Sequence, residues 1–281
     1  MTLTADSGST KCDWLLEENG REVARCQTEG MSPVHQSADE LRRVVEEQLK
    51  PLLGDKAGAI AELHFYGSGC TAALSPVVDD VLRASFAGCG LIEVASDMLG
   101  AARILCGDKE GIACILGTGA NSCLYDGKHI VSQTPALGYV LGDEGSGAVL
   151  GKLLVGALYK DGRFVGVRKQ FEEETQLTLG DVIERVYRQP LANRWLASLS
   201  HFVARHIDNP LLDALVVENF RRFFARNILP YQRLDLPVGF VGSMAFHYRR
   251  QLAEAASAEG FSVGRVMKGM LSETPDNHAV T

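Results

Sequence analysis

No apolar run approaches the roughly 20 residues that a helix needs to cross a bilayer, so no membrane span is expected. The first residues, Met1-Thr2-Leu3-Thr4-Ala5-Asp6, lack the basic start and apolar stretch of a signal peptide, and the expectation is a cytoplasmic protein. Positive charge is not in excess either. The formal net charge is -7, so nothing draws the whole chain to phosphate backbones or anionic lipid. The basic pairs Arg42-Arg43, Arg221-Arg222 and Arg249-Arg250 fall in helix-like stretches and read as solvated faces, and no nucleic-acid partner is expected. The seven cysteines contain no C-x-x-C pair, which excludes the common zinc and thioredoxin-type motifs. An odd number of thiols, several in apolar surroundings such as Ala113-Cys114-Ile115, fits a reducing compartment. A P-loop is also missing: Gly127-Lys128 is followed by His129, and Gly151-Lys152 by Leu153.

What is present is a weak internal repeat. At 281 residues the chain fits two domains, taking about 100–200 residues for each. Residues 3–29 read as strand, small-residue turn, strand, an Asn19-Gly20 hairpin and a third strand. Residues 112–132 follow the same plan with Asp126-Gly127, and a slide that sets Cys12 on Cys123 and Trp14 on Tyr125 also sets Gly8 on Gly119. After the first meander, helical and strand patterns alternate. Residues 37–53 carry Leu41, Val44, Val45, Leu49 and Leu52 at helical spacing, 63–66 is a strand, 74–86 a helix, 91–95 a strand and 98–105 a helix. The order β-β-β-α-β-α-β-α gives a mixed sheet flanked by helices. The second half turns helical from about Ser146 and ends with a last strand at 237–241 and a helix over 244–258. A polar, glycine-bounded link at 107–111 divides the chain into 1–109 and 110–281.

Two turns could grip phosphate. Asp6-Ser7-Gly8-Ser9-Thr10-Lys11 and Gly117-Thr118-Gly119-Ala120-Asn121-Ser122 each place N–H groups and hydroxyls at the end of an apolar strand. Glycine permits close backbone approach, and consecutive N–H donors make an anion nest. The carboxylate of Asp6 repels phosphate and would instead hold magnesium through water. A competing pattern is Gly67-Ser68-Gly69-Cys70-Thr71-Ala72, which follows a strand, precedes a helix and meets the dinucleotide pattern, with Glu93 or Asp97 as the ribose acid. That reading leaves the repeated hairpins and Gly142-Asp143-Glu144-Gly145-Ser146-Gly147 without a role. Asp97 stands at the start of a helix, where a carboxylate serves either as a cap or as a general base.

With these residues assembled, the chain resembles the N-acetylglucosamine kinase branch of the actin/hexokinase/Hsp70 superfamily, the group that includes BadF/BcrA-type ATPases. The resemblance runs over roughly residues 3–267. It rests on Ala5 to Lys11, Ser96 to Ala101, Leu116 to Ser122, Gly142 to Ser146 and Gly239 to Ala245, in that order and spacing. It implies an α/β fold, a duplicated ribonuclease-H-like (actin-like ATPase) fold of two lobes. It also implies ATP and Mg2+ as cofactors, with Asp6 serving the metal and Asp97 as catalytic base. Asp6, Gly8, Ser9, Thr10, Lys11, Gly117, Thr118, Gly119, Gly242 and Ser243 become the nucleotide contacts, and Asn121, Asp143 and His35 the sugar contacts. The implied activity is transfer of phosphate to an amino sugar, N-acetylglucosamine at its 6-hydroxyl, by a homodimer. N-acetylmuramic acid or glucosamine kinase, a BadF-type ATPase and a non-catalytic sugar sensor are the alternatives. The chain departs from the family at Val34, where members that bind the N-acetyl sugar often carry asparagine before the histidine. It departs again at 269–281, which is polar and irregular and is expected to be disordered or atypical.

Overall fold

The computed structural model describes residues 1–8 and 10–272. The chain divides into two compact units, Met1–Ile104 joined by the C-terminal residues that begin at Gly269, and Leu105–Lys268.

The first unit opens with β1 (Thr2–Ser7), β2 (Lys11–Glu18) and β3 (Arg21–Glu29). A long helix follows, from α1 (Ala38–Arg43) through a π-helical stretch (Val44–Leu49) to α2 (Lys50–Leu53). Then come β4 (Glu62–Gly67), α3 (Ser75–Ser85), β5 (Leu91–Ser96) and α4 (Asp97–Cys106). The five strands lie in the order β3-β2-β1-β4-β5. β1 is antiparallel to β2 and parallel to β4, so the carboxyl ends of three parallel strands share one edge of the sheet. The long helix starts at a capping box: the Glu40 N–H reaches the Ser37 hydroxyl, and the Glu40 carboxylate accepts from the Ser37 N–H at 2.8 Å. Leu41, Val44, Val45 and Leu49 are fully buried, but Leu52 is 56% exposed and Leu53 is buried in its place. The π-helical stretch accounts for this, because its wider turns rotate the following residues off the α-helical spacing. The core centres on Trp14 and Phe65, whose rings are 6.0 Å apart. Each such fully buried side chain contributes about 1.5–3 kcal/mol. The indole N–H is satisfied by the Thr28 hydroxyl at 3.0 Å.

The second unit repeats the design with β6 (Glu110–Leu116), β7 (Ala120–Asp126) and β8 (Ile130–Gln133). Helices α5 (Gly138–Leu141), α6 (Gly147–Lys160), α7 (Val165–Thr175), α8 (Leu179–Tyr187), α9 (Ala192–Ser198), α10 (Ser200–Arg205) and α11 (Pro210–Phe223) follow. A π-helical turn (Phe224–Ile228) extends α11, and β9 (Val238–Val241), α12 (Ser243–His247), α13 (Arg249–Ala258) and β10 (Val263–Met267) complete the unit. The sheet order is β10-β9-β6-β7-β8. Read from β8, this is again an antiparallel meander followed by two strands parallel to the first. Two mixed sheets of identical connectivity are the duplicated ribonuclease-H-like fold expected from the sequence.

Several details differ from the sequence reading. The slide matched Gly8 with Gly119, whereas the hydrogen bonds match Gly8 with Gly117: Gly8 N–H bonds the Lys11 carbonyl and Gly117 N–H the Gly119 carbonyl, each at 3.0 Å. The second turn is shorter, so identity of residue type and identity of place do not coincide. The strand over 237–241 is not the last, since β10 lies beyond it. The helix over 244–258 breaks at Tyr248 into α12 and α13. The unit boundary falls within α4 rather than at 107–111, with the Leu105 side chain against Gly239 of β9. The C-terminal residues, assigned from sequence to the second lobe, associate with the first unit. There the Met270 N–H donates to Asp6 Oδ2 at 3.2 Å, and the Arg25 guanidinium donates to the Leu271 carbonyl. Residues 273–281 lie outside the described residues.

Candidate active site

In the first unit the two carboxylates singled out by sequence come together. Asp6 sits near the carboxyl end of β1, and Asp97 opens α4 immediately after β5. Asp97 is not the cap of that helix: the Leu99 N–H reaches the Ser96 hydroxyl at 3.2 Å, which makes Ser96 the cap. The Asp97 carboxylate accepts the Met98 N–H at 2.8 Å and has no ion-pair partner among the described residues. Burial pushes its pKa up, opposed by the hydrogen bond from Met98. A proton acceptor whose pKa has been lifted toward neutrality accepts a proton more readily.

Asp6 is raised to about 6, chiefly by burial, with the charges of Asp13 and Asp97 adding and the Met270 N–H opposing. It too forms no ion pair among the described residues. The Lys11 ammonium is 2.7 Å from Asp13 Oδ2 and largely exposed, and Gln27 holds the other Asp13 oxygen at 2.7 Å. A half-buried carboxylate beside other acids, with no cation of its own, suits a divalent ion. Among the described residues no group of three metal-ligating side chains gathers. The fit is therefore to magnesium, which keeps most of its water and takes one carboxylate together with substrate phosphates. Gly8 and Thr10 are exposed at the turn, where the Thr10 carbonyl accepts the Gly30 N–H at 3.1 Å. Ser9 lies outside the described residues.

The segment 30–36 borders this site. Ser7 clamps it: the buried hydroxyl donates to the Met31 carbonyl at 3.0 Å and accepts the Met31 N–H at 2.9 Å. Val34 packs over Gly69, next to Cys70, whose thiol is raised to about 12 by burial and by Asp97. His35 is exposed, and its ring has no hydrogen-bond partner among the described residues. The dinucleotide reading of residues 67–72 fails because the sheet is mixed rather than doubly wound. Of its two candidate ribose acids, Glu93 is also engaged by Arg103 at 2.9 Å and His64 at 3.1 Å.

In the second unit the turn Gly117-Thr118-Gly119 rests on the start of α6. The Gly117 and Thr118 carbonyls accept the N–H groups of Gly147 and Ala148 at 2.8 and 3.2 Å, and Ser146 caps the helix through the Val149 N–H. With the carbonyls turned to the helix, the N–H groups of Thr118 and Gly119 have no acceptor among the described residues. Free neighbouring N–H groups at an exposed turn are what an anion nest requires. A Cβ at Gly119 would stand 3.0 Å from Asp143 Oδ2, so the turn and the Asp143 carboxylate are in close approach.

Asp143 holds a left-handed backbone conformation with φ 59°. Its pKa is raised by burial, partly offset by the N–H groups of Ala120 and Gly138 that it accepts. Glu144 turns away and pairs with Arg226 at 3.1 Å, so the two adjacent acids do separate work. Asn121 directs its carbonyl to the Ser122 N–H and the Gln133 amide, both at 2.9 Å, which leaves its own amide N–H2 to donate. A cavity of about 250 Å³ opens here, lined by Ala120, Leu137, Leu141, Asp143 and Asn227 among others. Gly242 closes the set. Its φ is 126°, its N–H bonds the Met267 carbonyl at 2.9 Å, and a Cβ would meet the Leu116 carbonyl at 2.2 Å. Ser243, at the start of α12, is exposed.

Of the residues singled out from sequence, Asp6 and Asp97 lie in the first unit, and the Gly117-Thr118-Gly119 turn, Asp143 and Gly242 lie in the second. Sequence reasoning missed Ser7 as a clamp, Met270 as a partner of Asp6, and Asn227. Met270 and Asn227 lie far along the chain from the residues they join, with no local motif to mark them.

No family model matches this chain, and none of the curated proteins does. Solved structures do. A protein from Porphyromonas gingivalis, named as a candidate N-acetylglucosamine kinase, is 47% identical over 96% of each chain with a TM-score of 0.92. A Chromobacterium violaceum protein named in the same way is 19% identical over 94% of each chain, with a TM-score of 0.70. An ethanolamine utilization protein from Carboxydothermus hydrogenoformans is 16% identical, covering 97% of this chain and 86% of its own, with a TM-score of 0.56. The last two share the fold. At the identity and coverage of the first, the chain belongs to the same family as that candidate N-acetylglucosamine kinase.

Proposed function

We propose that this protein transfers the γ-phosphate of ATP to the 6-hydroxyl of N-acetylglucosamine. The coarser statement, an ATP-dependent sugar kinase, follows from its family. The observation that carries the chemistry is Asp97, a carboxylate with raised pKa and no cation partner, standing free of the capping role at the head of α4.

Phosphoryl transfer asks the protein mainly for positioning and charge neutralisation. Asp97 accepts the proton of the sugar hydroxyl as its oxygen bonds to the γ-phosphorus, while the bond from that phosphorus to the bridging oxygen of ADP breaks. Asp6 would hold magnesium, which when bound offsets the charge of the phosphates. The free N–H groups of Thr118 and Gly119 serve phosphate oxygens. Gly242 and Ser243 serve the adenosine. Asp143 and the Asn121 amide hold sugar hydroxyls, an acceptor and a donor that discriminate against analogues lacking those groups. His35, exposed beside Val34, is the remaining candidate contact to the sugar.

The test is ADP release with ATP and magnesium across N-acetylglucosamine, N-acetylmuramic acid, glucosamine, N-acetylmannosamine, glucose and a blank. Release that depends on N-acetylglucosamine, with the product carrying phosphate at the 6-position by NMR, is expected. Release that favours another sugar replaces the substrate. Equal release with every sugar and with none makes the protein an ATPase, and no release makes it a sensor.

A further inference from the structure

Past β10 the chain closes a four-residue turn, Gly269 to Ser272. The Ser272 N–H donates to the Gly269 carbonyl at 3.1 Å. The Ser272 hydroxyl donates to the same carbonyl at 2.6 Å and accepts the Gly269 N–H at 3.1 Å. Two further contacts fasten the turn to the first unit. The Met270 side chain is buried, and Arg25 of β3, paired with Glu22 at 2.9 Å, donates to the Leu271 carbonyl. The turn thereby brings the Met270 N–H to Asp6 Oδ2 at 3.2 Å. Its backbone runs so close that a Cβ at Gly269 would stand 4.0 Å from the same oxygen.

The bond from Met270 is the one hydrogen bond that the Asp6 carboxylate makes among the described residues. The kind of donor matters. A lysine or arginine on Oδ2 would bring a full positive charge and compete with a divalent ion for the carboxylate. The nearby Lys11 ammonium is instead engaged by Asp13 at 2.7 Å. A backbone N–H fixes the plane of the carboxylate while leaving its charge, and Oδ1, to a metal ion and its water. Magnesium demands a near-ideal octahedral arrangement, and a hydrogen bond to the carboxylate that serves it supplies the orientation. Anchoring the chain end does not require this bond, because Arg25, Ser272 and the Met270 side chain already do so.

Resting on the kinase reading, we propose that Met270 is a positioning residue of the magnesium site: its N–H, presented by the turn Gly269 to Ser272, orients the Asp6 carboxylate. The end of the chain thus completes a site that its sixth residue begins.

The experiment compares the full-length wild type with Met270→Pro, Met270→Ala and Ser272→Ala. Met270 is the second residue of the turn, a place that proline favours, so Met270→Pro removes the N–H and suits the turn. Met270→Ala keeps the N–H. Both lose the buried side chain, so a lower melting temperature is common to them and magnesium separates them. Met270→Pro should raise the magnesium concentration for half-maximal ADP release about 10- to 100-fold, the range for a lost partner of a metal ligand, with KM for the sugar changed less than about threefold. Met270→Ala should need about tenfold less magnesium than Met270→Pro. Binding of Mn2+ in the presence of ADP, followed by electron paramagnetic resonance, should weaken in the same order without any turnover. Equal shifts in the two Met270 variants, no shift, or a lower magnesium requirement in Met270→Pro would overturn the proposal. Should Met270→Pro not fold, Ser272→Ala decides, since it loosens the turn alone: weaker Mn2+ binding supports the proposal and unchanged binding overturns it. If the wild type phosphorylates no sugar, the kinase reading fails, and the Mn2+ measurements still decide the role of Met270. A wild type that binds no Mn2+ with ADP overturns it.

Discussion

Replacing Asp97 with asparagine separates chemistry from folding, because the two respond in opposite directions. Asparagine keeps an oxygen that can accept the Met98 N–H, and the helix cap belongs to Ser96, so α4 keeps its start. What is lost is the proton acceptor. General-base catalysis is typically worth 10²–10⁴-fold, or about 3–5 kcal/mol of barrier at roughly 1.4 kcal/mol for each tenfold. Turnover measured by ADP release should fall by that factor, with ATP binding by calorimetry nearly unchanged. Stability should move the other way. Burial raises the folded-state pKa of Asp97 above 3.8, so the folded protein binds this proton more tightly than the unfolded chain does. For a carboxyl shifted in that direction, stability falls as pH rises through the folded value. At neutral pH the ionised group therefore weakens the fold, and Asp97→Asn should unfold at a higher urea concentration. That gain should shrink below pH 4, where the wild-type carboxyl is protonated in both states. Turnover within tenfold of the wild type would remove Asp97 from the mechanism. A loss of stability at pH 7 would show that the carboxylate is structural.

Three further outcomes are expected. With Asp6 raised to about 6, lowering the pH through 6 should weaken magnesium activation as the carboxyl takes up its proton, and excess magnesium should move the acid limb of the rate profile to lower pH. An acid limb indifferent to magnesium would count against Asp6 as the metal carboxylate. Gly242→Ala must place a Cβ against the Leu116 carbonyl at a backbone angle that side chains rarely adopt, and should cost about 2–4 kcal/mol in urea unfolding. A cost below about 1 kcal/mol would mean that the turn relaxes easily. Asp143→Asn keeps an acceptor for Ala120 and Gly138 but changes what it offers a hydroxyl, so KM for the sugar should rise about 10- to 100-fold while KM for ATP stays put. Equal rises in both would mean that Asp143 shapes the phosphate turn instead.

Much of this protein was legible in one dimension because the relevant signals are local. Strands alternate, the long helix carries its apolar spacing and a capping box at Ser37, and Asn19-Gly20 and Asp126-Gly127 mark hairpins whose backbone chemistry admits few alternatives. Asp6 and Asp97 could be singled out because each stands at a strand end, where a parallel sheet delivers its residues to one edge. Signals that depend on neighbours in space were not available. A π-helical stretch exchanged Leu52 for Leu53 in the core, and a shorter second turn moved the structural match of Gly8 from Gly119 to Gly117. β10, short and interrupted by Gly264, becomes a strand through pairing with β9. Tertiary packing alone decided which groups remain unsatisfied. The α6 N-terminus takes up the carbonyls of Gly117 and Thr118 and leaves the N–H groups of Thr118 and Gly119 without an acceptor among the described residues. The Met270 N–H reaches across the whole sequence to Asp6. Two hydroxyls pin the Asn227 backbone while its side-chain amide stays without a partner. Local sequence determined which elements form, because backbone preference and apolar spacing act over a few residues. The chemistry was decided by the fold, because burial and unpaired hydrogen-bonding groups exist only once distant segments have packed.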